Sequence, residues 1–261
     1  MFSPMTPGEA ARPDISVCVA VYKAHEAPNL ASLAERLPAA LGDLTGELVV
    51  ALNGVTAQSA GAPPGAVLVD FPVNRGVPIA WNAAVARSRA PVVCVVNDDV
   101  VLGPGSLALL HDALAGEATA GVVGPVGTQW DLTVPEHLSY LDTAGAPPGQ
   151  RHECDVVSGF LFATRRRLFD DVGGFDEAYT PCGFEEVDYC SAVRLRAGMR
   201  CFAVAGVAFE HEFGISASRP WHRLAFDGRR ESLRSITRRN REHFRRKWSA
   251  AAVSAPQAPR T

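Results

Sequence analysis

The apolar run Pro91-Val92-Val93-Cys94-Val95-Val96 stops at Asn97-Asp98-Asp99. Unbroken apolarity marks a strand covered on both faces, as in a parallel sheet with helices packed above and below. Carboxylates at the end of such a strand fall at the sheet edge where open α/β folds bind ligands. Two adjacent aspartates repel each other, and a divalent cation on hard oxygen ligands, Mg²⁺ or Mn²⁺, relieves that repulsion. The plainer reading is a solvated Asp-Asp turn that closes a strand, where Asp is common.

The rest of the chain repeats this grammar. Ile15 to Val21 reads as a first strand, followed by a polar loop from Tyr22 to Asn29. Leu30, Leu33, Leu37 and Leu41 then recur on one face of an amphipathic helix. Glu47 to Leu52 is a second strand, stopped by Asn53-Gly54, and Ala66 to Val69 a third. A helix from about Ile79 to Arg89 leads into the strand that ends at Asn97. Strands alternating with helices predict an α/β fold with a mostly parallel, doubly wound sheet. Gly116 to Gly149 reads as irregular loops around one short strand, Ala120 to Gly124.

Composition narrows the function classes. A formal charge of −3 gives no global field for nucleic acid, and no apolar run is long enough to span a bilayer. The six cysteines show no C-x-x-C spacing, so they read as reduced thiols in a cytoplasmic protein and not as a zinc site. Met1 to Pro13 lacks the apolar core of a secretory signal. Charge is uneven, however. Arg229, Arg230, Arg234, Arg238, Arg239, Arg241, Arg245 and Arg246 crowd one segment, with Leu233, Ile236, Phe244 and Trp248 at roughly helical spacing among them. Either one apolar stripe docks this helix with its arginines solvated, or its basic face meets an acidic partner, a phosphorylated acceptor, an anionic membrane surface or a second copy of the chain.

Several patches follow in a fixed order: Asn74-Arg75-Gly76, Ala80-x-Asn82, Asn97-Asp98-Asp99, Ser158-Gly159-Phe160-Leu161, Gly173-Gly174-Phe175-Asp176-Glu177, Gly183-Phe184-Glu185-Glu186-Val187-Asp188, His211 and Ser216. Over about residues 14–217 this series resembles the family-2 inverting glycosyltransferases of the GT-A fold, in particular their rhamnosyltransferase-like branch. Asn240 to Trp248 also resembles the family's C-terminal ending. The resemblance divides the chain into a leader (1–13), a GT-A domain (14–222), an Arg-rich helical segment (223–249) and a disordered tail (250–261).

It implies a nucleoside-diphosphate sugar donor (UDP, dTDP or GDP), an unidentified acceptor, a divalent cation and no nucleic-acid partner. In the family's D-x-D-type motif, Asp99 is then a metal ligand, Asp98 lies near the sugar or ribose, and Asn97 is a neutral substitute at the first position. His211 completes the metal shell or contacts the diphosphate, or else is a structural histidine after a strand. The general base falls on Glu186, with Glu185 as the alternative; outside the family context these carboxylates and Asp188 read as a favourable acidic helix start. Leu52 occupies the place of an Asp that commonly meets the base, so Asn53 or a backbone carbonyl would take over that contact. Ala20 and Tyr22 would flank the base, Arg75 would reach the donor phosphates or base, and Asn82 would order the Arg75 loop. Trp130, and less directly Asp188, are acceptor-side candidates. A nucleotidyltransferase would need a Gly-rich loop after the first strand, where this chain has Val21 to Glu26. A catalytically silent GT-A-like partner or scaffold protein is the other alternative, suggested by Asn97, Leu52 and Glu186.

Overall fold

The structure is a computed structural model that describes residues 12–22, 29–211 and 223–248. In chain order its elements are β1 (Ile15–Val21), α1 (Asn29–Leu41), β2 (Gly46–Asn53), α2 (Ala57–Ala60), β3 (Val67–Phe71), α3 (Val77–Arg87), β4 (Val92–Asn97), β5 (Val100–Leu102), α4 (Ser106–Ala115) and β6 (Ala120–Gly124). There follow β7 (Gly127–Asp131), β8 (Glu136–Tyr140), β9 (Arg151–Cys154), β10 (Val156–Val157), β11 (Leu161–Arg165), α5 (Arg166–Val172), a 3₁₀ turn at Glu177–Tyr179 and α6 (Glu185–Leu195). The described chain closes with β12 (Arg200–Val204), β13 (Phe209–His211), β14 (Arg223–Phe226), β15 (Arg229–Ser232) and α7 (Leu233–Trp248).

Eight strands form one sheet in the order β3-β2-β1-β4-β11-β6-β12-β9. Strands β1 to β4 run parallel, β11 runs against both β4 and β6, and β9 runs against β12. The mixed, mostly parallel sheet matches the expected α/β class. Side-chain alternation splits its core into two layers. Val17, Val19, Cys94 and Val96 face the layer shared with Leu30 and Leu33 of α1 and Leu107 and Leu110 of α4. Cys18, Val93 and Val95 face Trp81 of α3, Val187 and Tyr189 of α6, and Phe244 and Trp248 of α7. Burial on both sides is why these strands read as unbroken apolar runs. All six cysteines are free thiols.

Two expectations need correction. The stretch Gly116 to Gly149 is more regular than its Gly and Pro content suggests, because β7 and β8 pair as an antiparallel hairpin and β10 joins them. The Arg-rich segment is not helical from residue 223. Arg223 to Ser232 fold as a hairpin, with β14 alternating exposed and buried side chains around an Asp227-Gly228 turn. Both turn residues have positive φ, 48° and 71°, which is the backbone a two-residue hairpin loop needs. Among the described residues no helix is long and apolar enough to cross a membrane. Ser216, the residue-1 to 11 part of the leader, most of the loop after Tyr22 and the tail from residue 250 lie outside the described residues.

Candidate active site

Register places the ends of β1, β2 and β4 side by side: Ala20 is opposite Ala51 and Asn97, and Val21 is opposite Leu52. Tyr22 therefore leaves the sheet next to Asn53 and Asn97, at the edge where the sequence predicted a ligand. After Asp98-Asp99 the chain turns into β5, which pairs with β13 so that His211 is opposite Val100. That pairing carries His211 to Asp99, with Nε2 3.2 Å from Oδ1. The ring of Phe160 stacks on His211 at 4.4 Å between centroids, and the Phe160 carbonyl accepts from the backbone N–H of Asn97 at 2.8 Å. Asp99 Oδ1 is buried and accepts no hydrogen bond. Two neighbouring ligands of a six-coordinate cation with bonds of about 2.1 Å stand about 3 Å apart. The oxygen–nitrogen pair has that spacing, and an orphaned buried carboxylate oxygen has reason to hold a cation, so these residues fit Mn²⁺ or Mg²⁺. No group of three or more His, Cys, Asp or Glu suited to a metal occurs among the described residues.

The second centre lies at the start of α6. Phe184, with φ 79°, precedes the helix, and Glu185 and Glu186 open it. Glu185 is buried, and its Oε2 accepts no hydrogen bond. Burial, and then the adjacent charge of Glu186, push the Glu185 carboxyl well above the usual carboxylate range. Burial also raises Glu186, although backbone N–H groups of the helix start oppose it. Gly159 packs directly on Glu186; a Cβ there would lie 3.1 Å from the Glu186 Cβ. The dipeptide Gly159-Phe160 thus touches Glu186 through one residue and His211 and Asn97 through the other, and joins the two centres.

The remaining candidates have other placements. Asn53, expected at the base, is buried with its amide fully engaged: Nδ2 donates to Asn74 Oδ1 and the Gly76 carbonyl, and Oδ1 accepts from the Arg75 N–H. It shapes the Arg75 loop. Leu52 is fully buried in the core. Asn82 does not order the Arg75 loop; its amide brackets Phe175, accepting from the backbone N–H and donating to the carbonyl. Arg75 pairs with Asp227 at 2.8 Å. Asp188, expected on the acceptor side, is buried and accepts from Tyr179 Oη, Lys247 Nζ and Trp248 Nε1. It is an anchor for α7, because a buried carboxylate is stable only when its lone pairs are met. Trp130 is half-buried, edge-on to Phe184 at 6.1 Å and to His137 at 5.7 Å.

Sequence reasoning missed the residues that hold the site. Phe160 backs His211, and Asn240 in α7 donates to the carbonyls of Tyr179, Cys182 and Gly183. Lys247 bridges Asp176 and Asp188 at 2.7 Å each, and His243 adds to Asp176. Burial opposes ionisation of Asp176, but these two hydrogen-bonded partners outweigh it and hold the carboxyl down at about 2. The sequence signal for this clamp is the ending Asn240 to Trp248, which the resemblance picked out without giving it a role.

Residues 16–173 match the family model described as glycosyl transferase family 2. An uncharacterised protein y4gI of Sinorhizobium fredii (strain NBRC 101917 / NGR234) is 27% identical over 196 residues, which cover 67% of this chain and 20% of that protein. Thus the chain spans about one fifth of that relative's length. Among solved structures, the mannosyltransferase PcManGT of Pyrobaculum calidifontis, in complex with GDP-Man and Mn²⁺, superposes with a TM-score of 0.54 at 20% identity over 75% of this chain and 56% of that one. GalNAc-T7 with UDP, GalNAc and Mn²⁺ superposes with a TM-score of 0.61 at 13% identity, over 90% and 48% of the two chains. TarS (residues 1–349) of S. aureus gives 0.54 at 15%, over 75% and 59%. These likenesses share the GT-A fold with this chain.

Proposed function

Because the chain belongs to glycosyl transferase family 2, we propose that it moves a sugar from a nucleoside diphosphate to an acceptor hydroxyl or amine, with inversion at the anomeric carbon. The observation that carries the reading is the pairing of the buried, hydrogen-bond-free Asp99 Oδ1 with His211 at 3.2 Å, joined through Gly159-Phe160 to two carboxyls of raised pKa. Asp99 and His211 would hold Mn²⁺ or Mg²⁺, and such a cation supplies charge neutralisation for a diphosphate leaving group. Asn97 and Asp98 would lie beside the sugar or ribose. With Leu52 buried and Asn53 engaged, the base would be left to the backbone from Ala20 to Val21 and the ring of Tyr22.

Glu186, with Glu185 as the alternative, would take the proton of the acceptor as its oxygen or nitrogen bonds to the anomeric carbon. The bond to the diphosphate breaks on the other face, and its electron pair leaves with the phosphate. Burial serves this step, because a base works best when its pKa approaches the working pH while the group is still ionised. Burial moves both carboxyls in that direction, and the charge of Glu186 adds to it for Glu185.

Calorimetric titration with UDP, dTDP and GDP, each with and without Mn²⁺, tests the proposal. One nucleotide should bind, and its affinity should fall at least tenfold without Mn²⁺ and again in Asp99→Ala. A folded protein that binds none of the three would sink the transferase reading and leave the silent partner protein in its place.

A further inference from the structure

Helix α7 turns one side to the body of the protein and another to a groove of about 600 Å³. Its inner side buries Ile236, Asn240, Phe244 and Trp248. Arg234, Arg238, Arg241 and Arg245 line the groove; at intervals of four, three and four residues they share one helix face. They extend over about 16 Å of helix axis. Among the described residues Arg234, Arg238 and Arg241 make no ion pair, and Glu242 is the one carboxylate on the lining. The end of the groove is formed by Cys182 and Gly183, immediately before Phe184 and the two glutamates of α6. Burial and the charges of Glu185 and Glu186 push the Cys182 thiol up to about 12, as its closeness to that pair requires.

We propose that this groove binds a soluble acceptor chain carrying several phosphates and leads its sugar-accepting end to Glu186. The inference rests on the transferase reading and adds the chemical class of its acceptor. One feature favours a phosphate chain over a membrane surface: none of the exposed large apolar side chains of the described residues lies on α7, whereas a helix that lies in a membrane interface buries its apolar face in lipid. Arg, with its planar fork, is suited to repeated bidentate contacts with phosphate oxygens.

The test is titration of the intact protein with linear inorganic polyphosphate at about 0.1 M salt, in parallel with the nucleotide titration. The variant Arg238→Gln/Arg241→Gln is compared with the charge-matched control Arg36→Gln/Arg87→Gln, whose arginines are exposed on α1 and α3. The groove variant should lose at least tenfold in polyphosphate affinity, the control should lose less than twofold, and nucleotide affinity should stay the same in both. Equal losses in the two variants would reduce the effect to net charge and overturn the proposal, as would a wild type that does not bind polyphosphate. Arginine-dependent sedimentation with anionic vesicles, without polyphosphate binding, would overturn it in favour of a membrane. Loss of nucleotide binding by the wild type would instead strike the transferase reading.

Discussion

Asn240 offers the sharpest test of how the loop ahead of Glu185 and Glu186 is held. The residue is fully buried, and the carbonyls of Tyr179, Cys182 and Gly183 lie 2.9, 3.0 and 2.8 Å from its Nδ2. An amide nitrogen carries two hydrogens, so at most two of these bonds have full strength. Asn240→Ala leaves about two buried or part-buried carbonyls without a donor, at about 1–3 kcal/mol each, for a loss of about 2–6 kcal/mol. That is a large part of the total for a domain of this kind. Asn240→Asp keeps the volume but turns an acceptor toward three acceptors, so it should lose more than Ala at neutral pH and recover as pH falls and the carboxyl takes up a proton. Urea unfolding followed by circular dichroism, with the slope unchanged, measures both. If Asn240→Asp is as stable as the wild type at pH 7.5, or if Asn240→Ala loses less than about 0.5 kcal/mol, the amide does not pin this loop and the reasoning fails.

Other consequences can be checked in the same preparations. Glu186→Gln removes a carboxylate that burial disfavours, so it should hold or raise thermal stability while lowering turnover at least a hundredfold; a drop in both would assign Glu186 a structural role. Because the folded carboxyls of Glu185 and Glu186 are raised above the unfolded value, their ionisation costs stability as pH rises above about 4.5, and kcat/KM should fall as pH drops through the raised value; an activity limb at the ordinary carboxylate pKa would contradict the assignment. Asp176 has the opposite sign. Its pKa falls from 3.8 to about 2, so its contribution of about 2 kcal/mol is complete above about pH 4 and is lost toward pH 2, and Asp176→Asn should flatten that part of the acid unfolding curve. Gly76→Ala should cost at least about 1 kcal/mol in urea unfolding, since φ is 91° and the new Cβ would lie 2.8 Å from the Pro181 Cα; a neutral result would show that the two loops can part freely.

What the sequence made legible follows from where each residue is solvated. Strands β1, β2 and β4 could be read because both faces are buried and every position reports it. Asp99, Glu186 and His211 became candidates through an ordered set of motifs, and the structure brings Asp99 and His211 together through the β5–β13 pairing that no local pattern announces. Asn53, Asn82 and Asp188 were read as site residues because a polar residue near a site looks like a ligand contact until its hydrogen bonds are known, and all three bond to the chain itself. The hairpin at 223–232 was hidden by its arginines, although Leu224 and Phe226 alternate with exposed residues and Asp-Gly is a strong turn signal. The clamp by Asn240 and Lys247 was illegible because its partners are backbone carbonyls and carboxylates about sixty residues away.

That sixty-residue separation sets an order of events during synthesis. The loop from Tyr179 to Gly183 leaves the ribosome 57 to 61 residues before the asparagine that fixes it, an interval of about 3–12 s at ordinary elongation rates. By the end of that interval β12 and His211 have followed the loop out, so a growing chain can pair Asp99 with His211 before α7 fixes the loop ahead of Glu185 and Glu186.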